Sequence, residues 1–206
     1  MSNIGSYDER VKDFSWSIAE RELGYKAGDV INIGWYCTDR ICQQGKGDKV
    51  ALYWEGHTGA EKTYTYNDIR LATNTIGAFL RGLGVQPGER VCLFMDKIPE
   101  LYLGFLGILK TGAIAQPLFS AFGDESLLVR LSNAETSVVL TQKKHAPKVR
   151  KIQDKMPHLR HVVVVDHDGV APLRDREVAF SLGKAAPVES FDVHPTTAES
   201  PSVLHY

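Results

Sequence analysis

The sequence predicts an α/β protein: a doubly wound, mostly parallel sheet with helices on both faces, preceded by a helical leader and a β-hairpin. Three observations carry this. Four near-continuous apolar runs, 91–95 (VCLFM), 113–119 (AIAQPLF), 137–141 (SVVLT) and 161–165 (HVVVV), begin 22 to 24 residues apart, a pitch that suits βα units. The runs lack polar alternation, as strands covered on both faces do. Helix punctuation falls between them: Gly84 and Pro87-Gly88 before the first run, and Pro99 at the first turn of the segment after it.

Taken in order, residues 1–48 read as a leader of short helices. Tyr7, Val11, Phe14 and Ile18 recur at three- and four-residue steps, as on one helix face, and five glycines interrupt the remainder. Residues 49–54 (KVALYW) read as a strand, 57–59 as a turn and 63–66 as the return arm of a hairpin. Asn67-Asp68 is placed to cap a helix running to Leu83, and the segments after Pro99, over 124–133 and over 146–156 read as the remaining helices. From Gly169 the rhythm is lost. One short helix is predicted over 178–185, then a loop with Pro187 and Pro195, and 202–206 (SVLHY) reads as a further buried strand on which the chain ends. That ending predicts an incomplete domain over 49–206, with the missing remainder of its own chain as a partner.

Net charge is −1, from 24 basic and 25 acidic residues, and gives no electrostatic footprint for nucleic acid or an anionic membrane. No apolar run approaches the roughly 20 residues that span a bilayer. The first 15 residues are polar and charged, unlike a secretory signal, so a cytoplasmic protein with reduced Cys37, Cys42 and Cys92 is predicted.

Ligands of open parallel sheets sit outside the carboxyl ends of strands. The loops there are 96–99 (DKIP), 120–124 (SAFGD), 142–145 (QKKH) and 166–169 (DHDG), and none is a glycine-rich phosphate cradle. Asp166-His167-Asp168 reads as a solvated turn, Tyr64, Tyr66 and Tyr102 as core or rim aromatics, and no catalytic residue or metal site stands out. Lys143, Lys144, Lys148, Arg150, Lys151 and Lys155 form the densest basic run. A solvated helix face and an anion site both remain open for it.

The words of the sequence add what its chemistry withholds. KVALYWEG, followed in order by KTYTY, GVQPGERV, PELY and KTGA over residues 49–165, is similar to the amino-terminal domain of the adenylate-forming superfamily of AMP-binding acyl-CoA ligases. Asp39-Arg40 before KVALY, and QPLFSAF over 116–122, resemble the acetyl-CoA synthetase branch. The resemblance implies a ligase that couples acetate or another short-chain acid to coenzyme A, using ATP and magnesium and releasing AMP and pyrophosphate. It places LHY at 204–206 just before the loop that holds the phosphates of ATP, so the chain alone is expected to be inactive. It implies a coenzyme A site in which Phe119, Ser120, Ala121 and Phe122 lie beside the nucleotide and Lys148, Arg150 or Lys151 faces the 3′-phosphate. Ser-Ala stands here where that branch more often has Gly-Gly. A medium-chain or aryl-CoA ligase, and a non-catalytic interaction domain built on this fold, remain the alternatives.

Overall fold

The computed structural model describes residues 6–26, 28–170 and 172–206; residues 1–5 of the expected leader lie outside them. The leader forms α1 (Tyr7–Asp13), α2 (Trp16–Leu23), α3 (Ile33–Tyr36) and α4 (Asp39–Ile41), followed by a π-helical turn, Cys42–Lys46. The face expected over Tyr7, Val11, Phe14 and Ile18 is not continuous: α1 ends at Asp13 and Ile18 falls in α2, and Tyr7, Val11 and Phe14 are exposed, with Phe14 meeting the Trp16 ring edge-on at 5.5 Å. An antiparallel hairpin follows, β1 (Val50–Glu55) with β2 (Glu61–Thr65).

Then the βα march begins with α5 (Tyr66–Gly82), β3 (Arg90–Phe94), α6 (Pro99–Lys110), β4 (Ile114–Leu118), α7 (Asp124–Asn133), β5 (Val138–Thr141), α8 (Ala146–Arg150), a 3-10 turn Gln153–Lys155, β6 (His161–Val164) and β7 (Glu177–Ala179). Thr65, rather than Asn67 or Asp68, caps α5, and Asp68 closes a capping box with it. The far end of α5 is a Schellman turn in which Gly84, at φ 79°, takes the left-handed position that a side chain disfavours; the N–H of Val85 bonds the carbonyl of Leu80 and that of Gly84 the carbonyl of Arg81. The helix expected over 146–156 breaks after Arg150, and the 3-10 turn keeps Ile152 and Met156 on the buried face with Val149.

All pairings in the five-stranded sheet are parallel, in the order β4-β3-β5-β6-β7. The fifth strand, Glu177–Ala179, overlaps the start of the stretch read from sequence as a helix over 178–185. That assignment is corrected: Glu177–Ala179 extends along β6, because Glu177 is held in the sheet by Arg150 rather than left to solvent. Residues 202–206 approach the other edge, where Val203 bridges Ala115 in parallel. The expected burial is absent there, since Val203 and Tyr206 are each 42% exposed.

Side chains alternate across the strands into two cores. Val91, Leu93, Val138, Leu140 and Val163 meet Ile69, Ile76 and Leu80 of α5 and Leu103 and Ile108 of α6. Cys92, Phe94, Val139 and Val162 meet Leu127 and Leu131 of α7 and Val149 of α8. The sheet is therefore covered on both faces, which is why its strands read as unbroken apolar runs.

Two further features join these parts. Lys110, the last residue of α6, is fully buried; its ammonium lies 2.5 Å from Asp39 of α4 and donates to the side-chain oxygen of Asn74 of α5 at 2.6 Å. Burial lowers its pKa against the opposing pull of Asp39. The extended strap 187–194 is laced to α5 at successive turns: Arg70 donates to the carbonyl of Glu189 at 2.6 Å, the Asn74 amide to that of Val188 at 3.2 Å, and Arg81 to that of Asp192 at 2.7 Å while stacking over Phe191.

Candidate functional site

Strand order determines where a crevice opens. The chain leaves β3 for α6 on one face of the sheet, and leaves its neighbours β4 and β5 for α7 and α8 on the other. Loops that part in this way leave a gap at the carboxyl ends of the strands, the usual ligand position of doubly wound sheets. Three of the loops picked out from sequence line it, those following β3, β4 and β5.

Asp96 stands at the centre. Its backbone N–H donates to the side-chain oxygen of Gln142 at 2.9 Å, fixing the β3 loop to the β5 loop. Its carboxylate takes the ammonium of Lys144 on one oxygen and the ring of His145 on the other, at 2.8 Å. The Lys144 hydrogen bond, then those of His145 and Ser120, hold the Asp96 carboxyl far below the usual range. Beside it, the N–H of Lys143 donates to Asp166 and its ammonium pairs with Asp168, so the Asp-His-Asp turn read as solvated is tied to the basic run. The hairpin reaches the same rim, where the Trp54 indole N–H donates to the carbonyl of Lys97 at 2.7 Å.

The residues expected to meet coenzyme A divide into two groups. Phe119, Ser120, Ala121 and Phe122 form the tight turn after β4, closed by the N–H of Phe122 on the carbonyl of Phe119 at 3.0 Å. Phe119 is 68% exposed and meets Phe122 edge-on at 5.9 Å, while Arg130 stacks on Phe122 at 4.2 Å. Lys148 joins this turn, its ammonium 3.0 Å from the carbonyl of Ser120 and 2.9 Å from that of Phe122. Lys151, three residues on and hence on the same side of the helix, pairs with Asp124 at the start of α7 at 2.9 Å. Arg150 points elsewhere. Its guanidinium binds Glu177 twice, at 2.5 and 3.1 Å, at the amino end of β7. Burial pushes Glu177 up, and the hydrogen bonds from Arg150 and from the N–H of Arg174 outweigh it, so its pKa falls.

Asp96 was missed as a partner of the basic run because the two are 48 residues apart in sequence. The signal lay in the strand rule itself, since loops after adjacent strands meet. As assembled, the crevice offers ammonium groups, an exposed aromatic ring and turn carbonyls. That chemistry suits an anion attached to a flat ring. Among the described residues, no group of three or more His, Cys, Asp or Glu gathers to hold a metal ion.

Comparison with known proteins agrees with this architecture. Residues 39–206 match the family described as AMP-binding enzyme. Acetyl-coenzyme A synthetase of Bacillus subtilis is 38% identical over 164 residues, covering 79% of this chain and 28% of its own length. The corresponding protein of Rubrobacter xylanophilus is 32% identical over 157 residues, covering 66% and 24%. The chain thus spans about a quarter of the length of these curated relatives. A Brucella canis acyl-CoA synthetase crystal structure superposes with a TM-score of 0.83 at 23% identity over 97% of this chain and 35% of that one, and an anthranilate CoA ligase with 0.69 at 23% over 86% and 31%. At that identity the two structures establish the fold. The family match spans most of the sequence, including every strand and helix around the crevice, and the chain belongs to the AMP-binding enzyme family.

Proposed function

We propose that residues 49–206 form the amino-terminal part of the AMP-binding domain of an acetate–CoA ligase, with 1–48 as its leader. In the reaction envisaged, a carboxylate oxygen of acetate attacks the α-phosphorus of ATP, giving acetyl-adenylate and pyrophosphate. The thiol sulfur of coenzyme A then attacks the acyl carbon, its proton is lost and AMP leaves. Magnesium would neutralise phosphate charge in the first step, and the protein acts in the cytoplasm on these small molecules.

The share assigned to this chain is the coenzyme. The observation that carries it is the meeting of the 119–122 turn with Lys148 at the switch-point crevice. The names of the two curated relatives described above, both acetyl-coenzyme A synthetases, favour acetate as the acid. Phe119, Ser120, Ala121 and Phe122 are assigned to the nucleotide of coenzyme A, with Lys148 and Lys151 as the basic residues beside them. Arg150 is reserved by Glu177.

The test uses the full-length protein that carries this chain. Carboxylate-dependent pyrophosphate release and CoA-dependent AMP release are measured with acetate, octanoate and benzoate. Acetate should give the highest kcat/KM. A preference for either larger acid overturns the acetate assignment, and no pyrophosphate release with any acid overturns the ligase reading. The 206-residue chain alone should release none.

A further inference from the structure

We propose that Lys148 is a positioning residue, which shapes the 119–122 turn for the coenzyme and does not itself bind phosphate. The proposal rests on the coenzyme A reading given above and separates two roles that the reading leaves joined.

An ammonium group has three N–H donors and no acceptor. Two of the donors of Lys148 are committed to the carbonyls of Ser120 and Phe122, at 3.0 and 2.9 Å. These carbonyls are two residues apart in a turn already closed by the Phe122 N–H, so one cation gathers both on the same side of the turn. The same ammonium lies 5.5 Å from the centre of the buried Phe94 ring, which draws it inward, towards the β3 end. The neighbouring lysines are placed differently. Lys143, Lys144 and Lys151 are 49%, 57% and 66% exposed and meet carboxylates at the rim, which an arriving phosphate can displace. A phosphate at Lys148 would instead have to draw it off two backbone carbonyls and release the turn that carries Phe119 and Phe122. The turn is thus braced through its backbone by Lys148, leaving the Phe119 ring outward.

The experiment compares wild type, Lys148→Met and Lys148→Arg in the full-length protein, with coenzyme A and 3′-dephospho-coenzyme A as thiols. Losing two charge-assisted hydrogen bonds to a partly exposed turn should raise the KM for coenzyme A about tenfold. The KM for dephospho-coenzyme A should rise by the same factor, so the preference between thiols stays as in wild type. Lys148→Arg, which keeps charge and donors, should recover part of the loss. Hydrogen–deuterium exchange, which needs no activity, should show faster exchange of the Phe122 amide in Lys148→Met with the sheet amides unchanged. Loss of the preference for coenzyme A in Lys148→Met would identify a direct phosphate contact and overturn the proposal while leaving the coenzyme reading intact. An unchanged Phe122 amide overturns it as well. If wild type shows no CoA-dependent AMP release, the coenzyme reading itself fails, and the role of Lys148 in coenzyme binding falls with it. Should Lys148→Met not fold, Lys148→Gln retains a neutral donor and is judged by the same thiol ratio and exchange rate.

Discussion

Asp39→Asn is the most informative perturbation of the fold, because it isolates the charge on the buried Lys110. The ammonium of Lys110 is fully buried and has two partners, the Asp39 carboxylate at 2.5 Å and the Asn74 oxygen at 2.6 Å. Removing one partner of a buried ion pair costs about 3–5 kcal/mol, since the remaining charge stays out of water. Asp39 is 17% exposed and Asn74 still accepts, so the lower end applies, about 3 kcal/mol. For a chain of this size that is a fall in Tm of about 6–12 °C. Lys110→Met should cost less, because it leaves Asp39 near water and fills the space with an apolar chain of similar length. The sign of the pH dependence follows from burial. The folded pKa of Lys110 lies below its unfolded value, so the native state binds fewer protons and this residue adds stability as pH rises between the two. Without Asp39 the folded pKa drops further. The deficit of Asp39→Asn relative to wild type should therefore shrink as pH is raised from 7 towards about 10. Urea unfolding of wild type and both variants at several pH values provides the measurement. An Asp39→Asn deficit under about 1 kcal/mol, a deficit that grows with pH, or a larger loss for Lys110→Met would refute the reasoning.

Arg150→Ala leaves the Glu177 carboxylate, only 1% exposed, without its guanidinium and should cost about 2 kcal/mol. The lowered pKa of Glu177 contributes stability that is present above about pH 4.3 and lost as pH falls through the folded value, so the acid-unfolding midpoint of Arg150→Ala should move up. Gly107→Ala should destabilise by about 1–3 kcal/mol in urea, because its Cβ would sit 2.8 Å from Cγ2 of Ile76 where α6 crosses α5. The Cys92 thiol is fully buried and its pKa is pushed far up by that burial, so a thiol reagent should reach it only on unfolding, as counted with and without denaturant.

Strands β3 to β6 and the helices between them were legible because two-sided burial writes itself as apolar runs, and the runs are separated by residues with local jobs, such as Gly84 and Pro99. β7 was not, since its first residue is a glutamate and the reason for burying it, Arg150, is 27 residues away. The 3-10 turn after α8 escaped for a different reason. Val149, Ile152 and Met156 keep helical spacing, and spacing does not distinguish one continuous helix from a helix followed by a tighter turn. At the site, the 119–122 turn and Lys148 were both singled out, and the structure brings them together. What sequence did not convey was direction. Arg150 differs from Lys148 and Lys151 by its angle around α8, and Asp96 meets Lys144 only because β3 and β5 are neighbours in the sheet.

The strap over 187–194 has a consequence for the sheet's exposed margin. It carries the chain from β7, at one edge, across α5 to β4, at the other, where the Ala115 N–H bonds the carbonyl of Ser202 and the Leu204 N–H returns to the carbonyl of Ala115. An unpaired parallel edge is a template for unwanted strand addition. Here the shield for that edge is a segment with one bridging residue of its own, and the strap that leads to it is tied to α5 by Arg70, Asn74 and Arg81. Weakening that lacing would therefore be felt first as self-association through β4, before any loss of the core.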